Sequence, residues 1–388
     1  MARKQIKLLI IQRIIAYYRL PVFQRLAQHY NVTIFFGKGT QDGGNKNATD
    51  LCGVKNKQLR SINYDLYIGK TTYYTSFFPD LQKEIIKLSP DIILTEGDTN
   101  LFNNAYLFSF VKKLGIPVIY WTAGFDSSKA LSIPRRFFNF IIKRSLLKPK
   151  AFLAYGKIAK ESLILQGIPS DKIFIAQNTI QSDSLFEPGK NESINVDVLR
   201  KELDLGESKV MLYAGAIEKR KKIDFLIKLL EHLNRDDVVL IVLGDGPDIS
   251  RMKKMIVNKG LEKKIILPGR VIEDRAKYFF LANLYIIPSQ FGFVNLPLSY
   301  GLPVIVNSKI TEGELIVNGK NGYICEDDDL DSFVSNVTKV LNDPEHAKQI
   351  GLNGYITFKE EASIDKMLDG MKSSINYVSS LSENNPEI

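Results

Sequence analysis

IIPSQFGFVNLPLSYGLPVIV, residues Ile286 to Val306, decides the fold. An apolar run, Leu284-Tyr285-Ile286-Ile287, stops at Pro288-Ser289, and the loop beyond holds Gly292 and Asn295. The pattern predicts a short helix starting at Leu296 or Pro297. Gly301 ends it, because glycine takes the left-handed cap conformation at little steric cost. Pro303 then leads into Val304-Ile305-Val306, a second apolar run. Strand, loop, helix, turn and strand make one parallel β-α-β unit. Loops at the C-terminal ends of such strands form the ligand crevices of doubly wound sheets.

Two similar units lie upstream. Val210 to Ala216 (VMLYAGA) is a strand running into a small-residue loop, followed by Glu218-Lys219-Arg220-Lys221-Lys222. Val238 to Pro247 (VVLIVLGDGP) is a buried strand closed by Gly244-Asp245-Gly246-Pro247. Downstream lies Asn318-Gly319-Lys320-Asn321-Gly322. Taken in order with Ala282-Asn283 to Pro288-Ser289 and Gly301 to Ile305, these signals resemble the C-terminal half of the GT-B glycosyltransferases, and among them family four (group 1). Each signal alone is weak; the ordered set carries the resemblance. It implies an α/β chain of two Rossmann-like doubly wound domains facing each other across a cleft.

Length and composition agree with two globular domains: 388 residues, 45% apolar and 24% charged. The net charge of +9 suits an anionic partner, whether nucleic acid, anionic lipid or a phosphorylated small molecule; solvated lysine explains it equally. No helix-turn-helix, zinc module or aromatic-basic strand motif is present, so a nucleic-acid partner is not expected. Cys52 and Cys325 form no Cys-x-x-Cys and no disulfide framework, which fits a cytoplasmic chain. The opening MARKQIKLLII reads as a first strand; its apolar run is too short for a signal peptide.

Along the chain, strands are expected at Lys7–Gln12, Val32–Phe36, Asp91–Leu94, Ile116–Trp121, Ala151–Ala154 and Ile173–Ile175. Helical spacing covers Leu20–Tyr30, Phe78–Leu88 and Ala105–Leu114. Residues 51–78 give no clear pattern; the aromatic residues between Tyr64 and Phe78 suit either core or an acceptor platform. These elements place an N-terminal domain at 1–178, a linker with a short helix at 179–208, and a second domain at 209–353. A tail helix over 354–378 follows, which the resemblance sends back to the first domain, and then a disordered end at 379–388.

Lys219 to Lys222 precede a helix beginning near Asp224, and lysines beside a helix start suit a diphosphate, as they also suit a solvated approach to the helix. The resemblance puts the donor-binding lysine at Lys221 and its arginine partner at Ala216, so the grip needs Arg220 or another residue. It also points to Gly215, Gly244 and Gly246 along the donor cleft, to Arg270 and Val271 beside the base, and to Glu314 near the sugar. Two glutamates usual in this family are missing. One position falls near Ser289 or Gln290 and the other on Leu296, leaving Gln290 and Asn295 as neutral hydrogen-bonding replacements. Retaining and inverting chemistry both stay open.

In the first domain Glu96, Asp98 and Asp126 follow strands, where a carboxylate can deprotonate an acceptor hydroxyl. Asp98 suits a helix cap as well. No metal-ligand cluster appears, and the resemblance implies neither metal nor other cofactor. Pro134 to Lys150 combines six basic residues with an apolar face. It fits packing on the sheet or contact with anionic lipid at the inner membrane face. The resemblance therefore implies sugar transfer from a nucleotide-diphosphate donor to a glycan or lipid-linked acceptor. A catalytically inactive sugar- or partner-binding protein on the same scaffold is the alternative.

Overall fold

A computed structural model describes residues 5–38, 53–68, 71–97, 100–124, 148–180, 196–271, 274–310 and 313–383. The chain divides into two compact units, Met1–Gln181 with Ile364–Ile388, and Ser182–Ser363.

Unit 1 is built on β1 (Lys7–Gln12), β2 (Asn31–Phe36), β3 (Lys55–Gln58), β6 (Ile92–Glu96), β7 (Val118–Thr122), β8 (Ala151–Ala154) and β9 (Ile173–Ile175). They form one sheet in the order β3-β2-β1-β6-β7-β8-β9, every pair parallel. The chain steps outward from β1 to β3 and then resumes at β6 on the other side of β1. Parallel strands covered on both faces must be apolar on both, and β1 is: Leu8 and Ile10 join one core cluster, Leu9 and Ile11 the other. β4 (Ile62–Ile68) and β5 (Thr71–Phe77) form a separate antiparallel hairpin in the stretch whose sequence shows no clear period. Asn103 pins it by accepting from the Phe78 amide at 2.7 Å and donating to the Ser76 carbonyl at 2.8 Å.

Unit 2 carries β10 (Lys209–Ala214), β11 (Val238–Leu243), β12 (Ile265–Gly269), β13 (Leu284–Ile287), β14 (Val304–Asn307) and β15 (Tyr323–Cys325). Their order is β12-β11-β10-β13-β14-β15, again all parallel. The amphipathic helix Ile223–Leu233 buries Ile223, Leu226, Ile227, Leu230 and Leu233 on this sheet. Each such side chain contributes roughly 1.5–3 kcal/mol when fully buried. The helix Asn295–Ser299 starts one residue earlier than the sequence suggests, and Gly301 follows it at φ +64°. Both sheets have the doubly wound, Rossmann-like arrangement that the spacing of the apolar runs implies.

The tail departs from the sequence expectation of one helix. A helix Pro344–Thr357 passes into a π-helical turn, Phe358–Ala362, then breaks at extended Ser363 before a second helix, Ile364–Glu383. That second helix also runs beyond 378, into the stretch expected to be disordered, because Val378 is fully buried in unit 1. Met367, Leu368, Met371 and Ile375 pack in the same core as Leu8, Phe23 and Trp121. A Cβ on Gly370 would lie 1.9 Å from the Ile175 carbonyl oxygen, so the helix backbone itself touches β9. Among the described residues no helix is long and apolar enough to cross a membrane.

Candidate functional site

The order of the second sheet reverses between β10 and β13, and the loops leaving their C-terminal ends carry most of the residues singled out above. After β10 the chain turns through Gly215, Ala216 and Ile217 and then Lys219–Lys221 in a 3-10 turn. Lys222 ends that turn in the left-handed conformation, at φ +53°, and enters the helix Ile223–Leu233. Its ammonium is tied to Asp327 at 2.6 Å and Asp328 at 2.8 Å. Lys309 joins Asp327 at 2.9 Å, and the Asn307 amide donates to it at 2.6 Å. Hydrogen bonds from Lys222 and Lys309 hold the Asp327 carboxyl well below the usual carboxylate range, against its burial. Lys222 is thereby committed to structure.

Lys221 points the other way. Its Nζ donates to the Phe291 carbonyl oxygen at 3.1 Å, linking the loop after β10 to the loop after β13 across the switch point. Burial first, and Arg220 second, push this ammonium below its ordinary value, with Glu218 opposing them. Arg220 is more exposed, pairs with Glu218 at 2.8 Å and lies 5.0 Å from the Phe291 ring centroid. Ser289 shapes the facing loop: its Oγ accepts from the Phe291 amide at 3.2 Å and donates to the Phe291 carbonyl at 3.1 Å.

The glycines are fixed by backbone contact. A Cβ on Gly244 would fall 1.9 Å from the Gly215 carbonyl oxygen, and one on Gly246 would fall 2.3 Å from that of Ile217. The Ile217 amide in turn donates to the Asp245 carbonyl at 2.9 Å. The loops after β10 and β11 are thus laced together without side chains, leaving a thin wall at the crevice. Tyr213 and Tyr285 underlie it, and the Tyr285 hydroxyl donates to the Ala214 carbonyl at 2.9 Å. Burial raises both phenols, so both stay neutral.

Gly215, Arg220, Lys221, Gly244, Gly246 and Gln290 therefore all stand on loops at one end of this sheet. Gln290 is exposed and Asn295 is fully buried. Arg270 is exposed and Val271 half-buried, just after Gly269 at φ +86°. Glu314 sits half-buried in the 3-10 turn Gly313–Leu315. Leu296, at one of the two glutamate positions, is 8% exposed. Asn321 is a structural residue: its amide donates to the Leu315 carbonyl and the Thr357 hydroxyl, both at 2.9 Å.

In unit 1, Glu96 ends β6 and accepts from Arg19 Nη1 at 3.0 Å. Arg19 also donates to Gln12 Oε1 and to the Tyr155 hydroxyl, each at 2.6 Å, and stacks 4.4 Å from the Trp121 ring. Burial acts to lower this guanidinium, but Tyr155, Glu96 and Tyr18 outweigh it and hold it above its ordinary value. Asp98 and Asp126 lie outside the described residues, as do residues 134–147 of the basic apolar segment. Among the described residues no group of three or more His, Cys, Asp or Glu side chains is placed to hold a metal ion.

Sequence reasoning missed the Arg19 cluster. Its signal was present: two arginines, Arg13 and Arg19, occupy the turn where a glycine-rich loop is common. It also missed the Lys222–Asp327 pair, whose members lie 105 positions apart.

Two parallel doubly wound sheets of this kind are those of the GT-B fold. Residues 195–357 match the family described as glycosyl transferases group 1. An uncharacterized glycosyltransferase of Methanocaldococcus jannaschii is 24% identical over 303 residues, 74% of this chain and 77% of that one. The GDP-mannose-dependent alpha-(1-6)-phosphatidylinositol monomannoside mannosyltransferase of Mycolicibacterium smegmatis is 25% identical over 170 residues, 40% of this chain and 44% of that protein. Among solved structures, Anabaena HepE in complex with UDP superposes with a TM-score of 0.75 at 13% identity, over 95% of this chain and 99% of that one.

Proposed function

We propose that this protein transfers a sugar from a nucleotide-diphosphate donor to an acceptor hydroxyl, in bacterial surface polysaccharide or glycolipid assembly. The single observation carrying this reading is Lys221, a partly buried cation held across the switch point of a group 1 glycosyltransferase segment. Unit 2 binds the donor and unit 1 the acceptor. Lys221 and Arg220 meet the diphosphate, Gly215, Gly244 and Gly246 let it approach the backbone, and Arg270 and Val271 flank the base. Glu314 and Gln290 serve the ribose and sugar, while Asn295, fully buried, shapes the loop that carries Gln290. In the transfer, the acceptor oxygen bonds to the anomeric carbon and the bond from that carbon to the diphosphate oxygen breaks. The acceptor proton passes to a carboxylate. With Glu96 committed to Arg19, that role falls to Asp98 or Asp126. Lys221 offsets the charge developing on the diphosphate. The UDP bound by the structural neighbour supports a nucleotide-sugar donor, and the mannosyltransferase relative supports a lipid-linked acceptor.

Leu296 favours a second reading. An apolar residue where the family carries a glutamate suits a sugar- or partner-binding protein without turnover. Thermal shift against UDP-, GDP-, dTDP- and CMP-sugars, with Lys221→Ala alongside, tests the donor site. A ligand at a hundred times its dissociation constant adds about 2.7 kcal/mol. Stabilisation by one nucleotide class, weakened in the variant and accompanied by turnover, supports the transferase. Stabilisation without turnover supports the second reading, and silence in a folded protein removes the donor site.

A further inference from the structure

Unit 1 has its own switch point, between β1 and β6, where Gln12 and Glu96 end neighbouring strands. Two arginines converge on it. Arg19 is 5% exposed and held on four sides by Gln12, Glu96, Tyr155 and Trp121. Arg13 directly follows β1 and is half-buried. Burial lowers its guanidinium, and Glu96 is the leading group opposing that shift. Two cations thus share one carboxylate among the described residues.

Hydrogen bonding is unbalanced in the same sense. Gln12 Nε2, Arg13 Nε, Arg19 Nε and Trp121 Nε1 are all buried with no acceptor among the described residues. All four are donors. Gln12 and Trp121 are fully buried, so their groups cannot turn out to solvent. A buried donor left without an acceptor is unfavourable, so a surplus of donors beside a surplus cation is a preorganised receptor for an acceptor-rich anion. Arg13, Tyr18 and Glu96 are only partly buried and form its mouth.

We propose that this cluster binds an oxyanion, a carboxylate or phosphate, carried by the acceptor substrate. The word acceptor rests on the transferase reading; the oxyanion site rests on the cluster alone. Arg13 contacts the oxyanion. Arg19 is a positioning residue, with Glu96 as its counter-ion. The site selects an acidic acceptor over a neutral one.

The test titrates the full chain with orthophosphate, glucose 6-phosphate, glucuronate and glucose at constant ionic strength, reading melting temperature. Wild type, Arg13→Gln, Arg13→Lys and Lys221→Ala are compared, and each is also titrated with UDP. Orthophosphate and one acidic sugar should raise the melting temperature of wild type and Lys221→Ala alike, with glucose inert. Arg13→Gln should weaken that binding about tenfold or more, and Arg13→Lys, which keeps the charge, should lose less. Which acidic sugar responds names phosphate or carboxylate. Equal binding by wild type and both Arg13 variants, loss only in Lys221→Ala, or no response in wild type would each overturn the proposal. The UDP titration reads the donor site separately, so either idea can fail without the other.

Discussion

Lys221 Nζ donates to the carbonyl oxygen of Phe291 at 3.1 Å, and through that bond the loops after β10 and β13 share one partly buried cation. The ammonium is pushed below its ordinary value, so the unfolded chain holds this proton more tightly than the folded one. Folding stability should then rise with pH from the folded value up to the unfolded one, about 10.4. Affinity for a nucleoside diphosphate should fall over the same window, because it needs the charged amine. Melting curves and UDP titrations from neutral to alkaline pH check both slopes. Lys221→Arg should flatten the affinity profile, and Lys221→Ala should weaken UDP binding about tenfold or more at neutral pH. A UDP affinity indifferent to Lys221→Ala would remove this residue from the donor site.

Gly244 and Gly246 meet backbone, which cannot swing aside as a side chain can. Gly244→Ala and Gly246→Ala should each cost about 1–3 kcal/mol through overpacking, with the loops after β10 and β11 forced apart. Urea midpoints that match wild type would contradict the close approach.

Arg19 and Glu96 are 6% and 12% exposed in their side chains. Removing one partner strands the other, so Arg19→Met should destabilise unit 1 by about 3–5 kcal/mol. Adding Glu96→Gln should recover part of that loss. A double-mutant cycle by chemical denaturation reads the coupling, and strict additivity would argue against the pair.

Asp327 receives Lys222, Lys309 and the Asn307 amide. Its carboxyl is held below the ordinary range, so its contribution is complete above about pH 4 and fades as pH falls further. The carboxylate is partly solvated, which limits the effect. Asp327→Asn should cost about 1 kcal/mol at neutral pH and less in acid. Paired denaturation curves at the two pH values check it; a gap that widened in acid would reverse the assignment.

Most strands of both sheets were legible because a strand buried on both faces is a bare apolar run, and Leu8–Ile11, Val238–Leu243 and Leu284–Ile287 are such stretches; β3, polar and exposed throughout, and the edge strands β12 and β15 were not. The hairpin of β4 and β5 was not: Tyr64 to Phe77 mixes aromatic and polar residues without a clean alternation. The break at Ser363 was hidden because the segments on both sides keep helical spacing. Within the site, glycines and Lys221 could be read from position in the motif, while the partner of Glu96 could not. Arg19 precedes it by 77 positions and meets it only because β1 and β6 are neighbours.

The helix Ile364–Glu383 sets an order on biosynthesis. It is made after the second unit, yet Met367, Met371 and Ile375 complete the core that Leu8 and Ile10 begin. The sequence-continuous unit, Ser182–Ser363, has all its core residues once its own segment leaves the ribosome. The unit whose strands are translated earlier therefore waits, its apolar face uncovered, until this helix emerges. Nascent chains stalled before residue 364 should hold a folded second half beside an unfinished first, reversing the usual N-terminal-first sequence of domain folding.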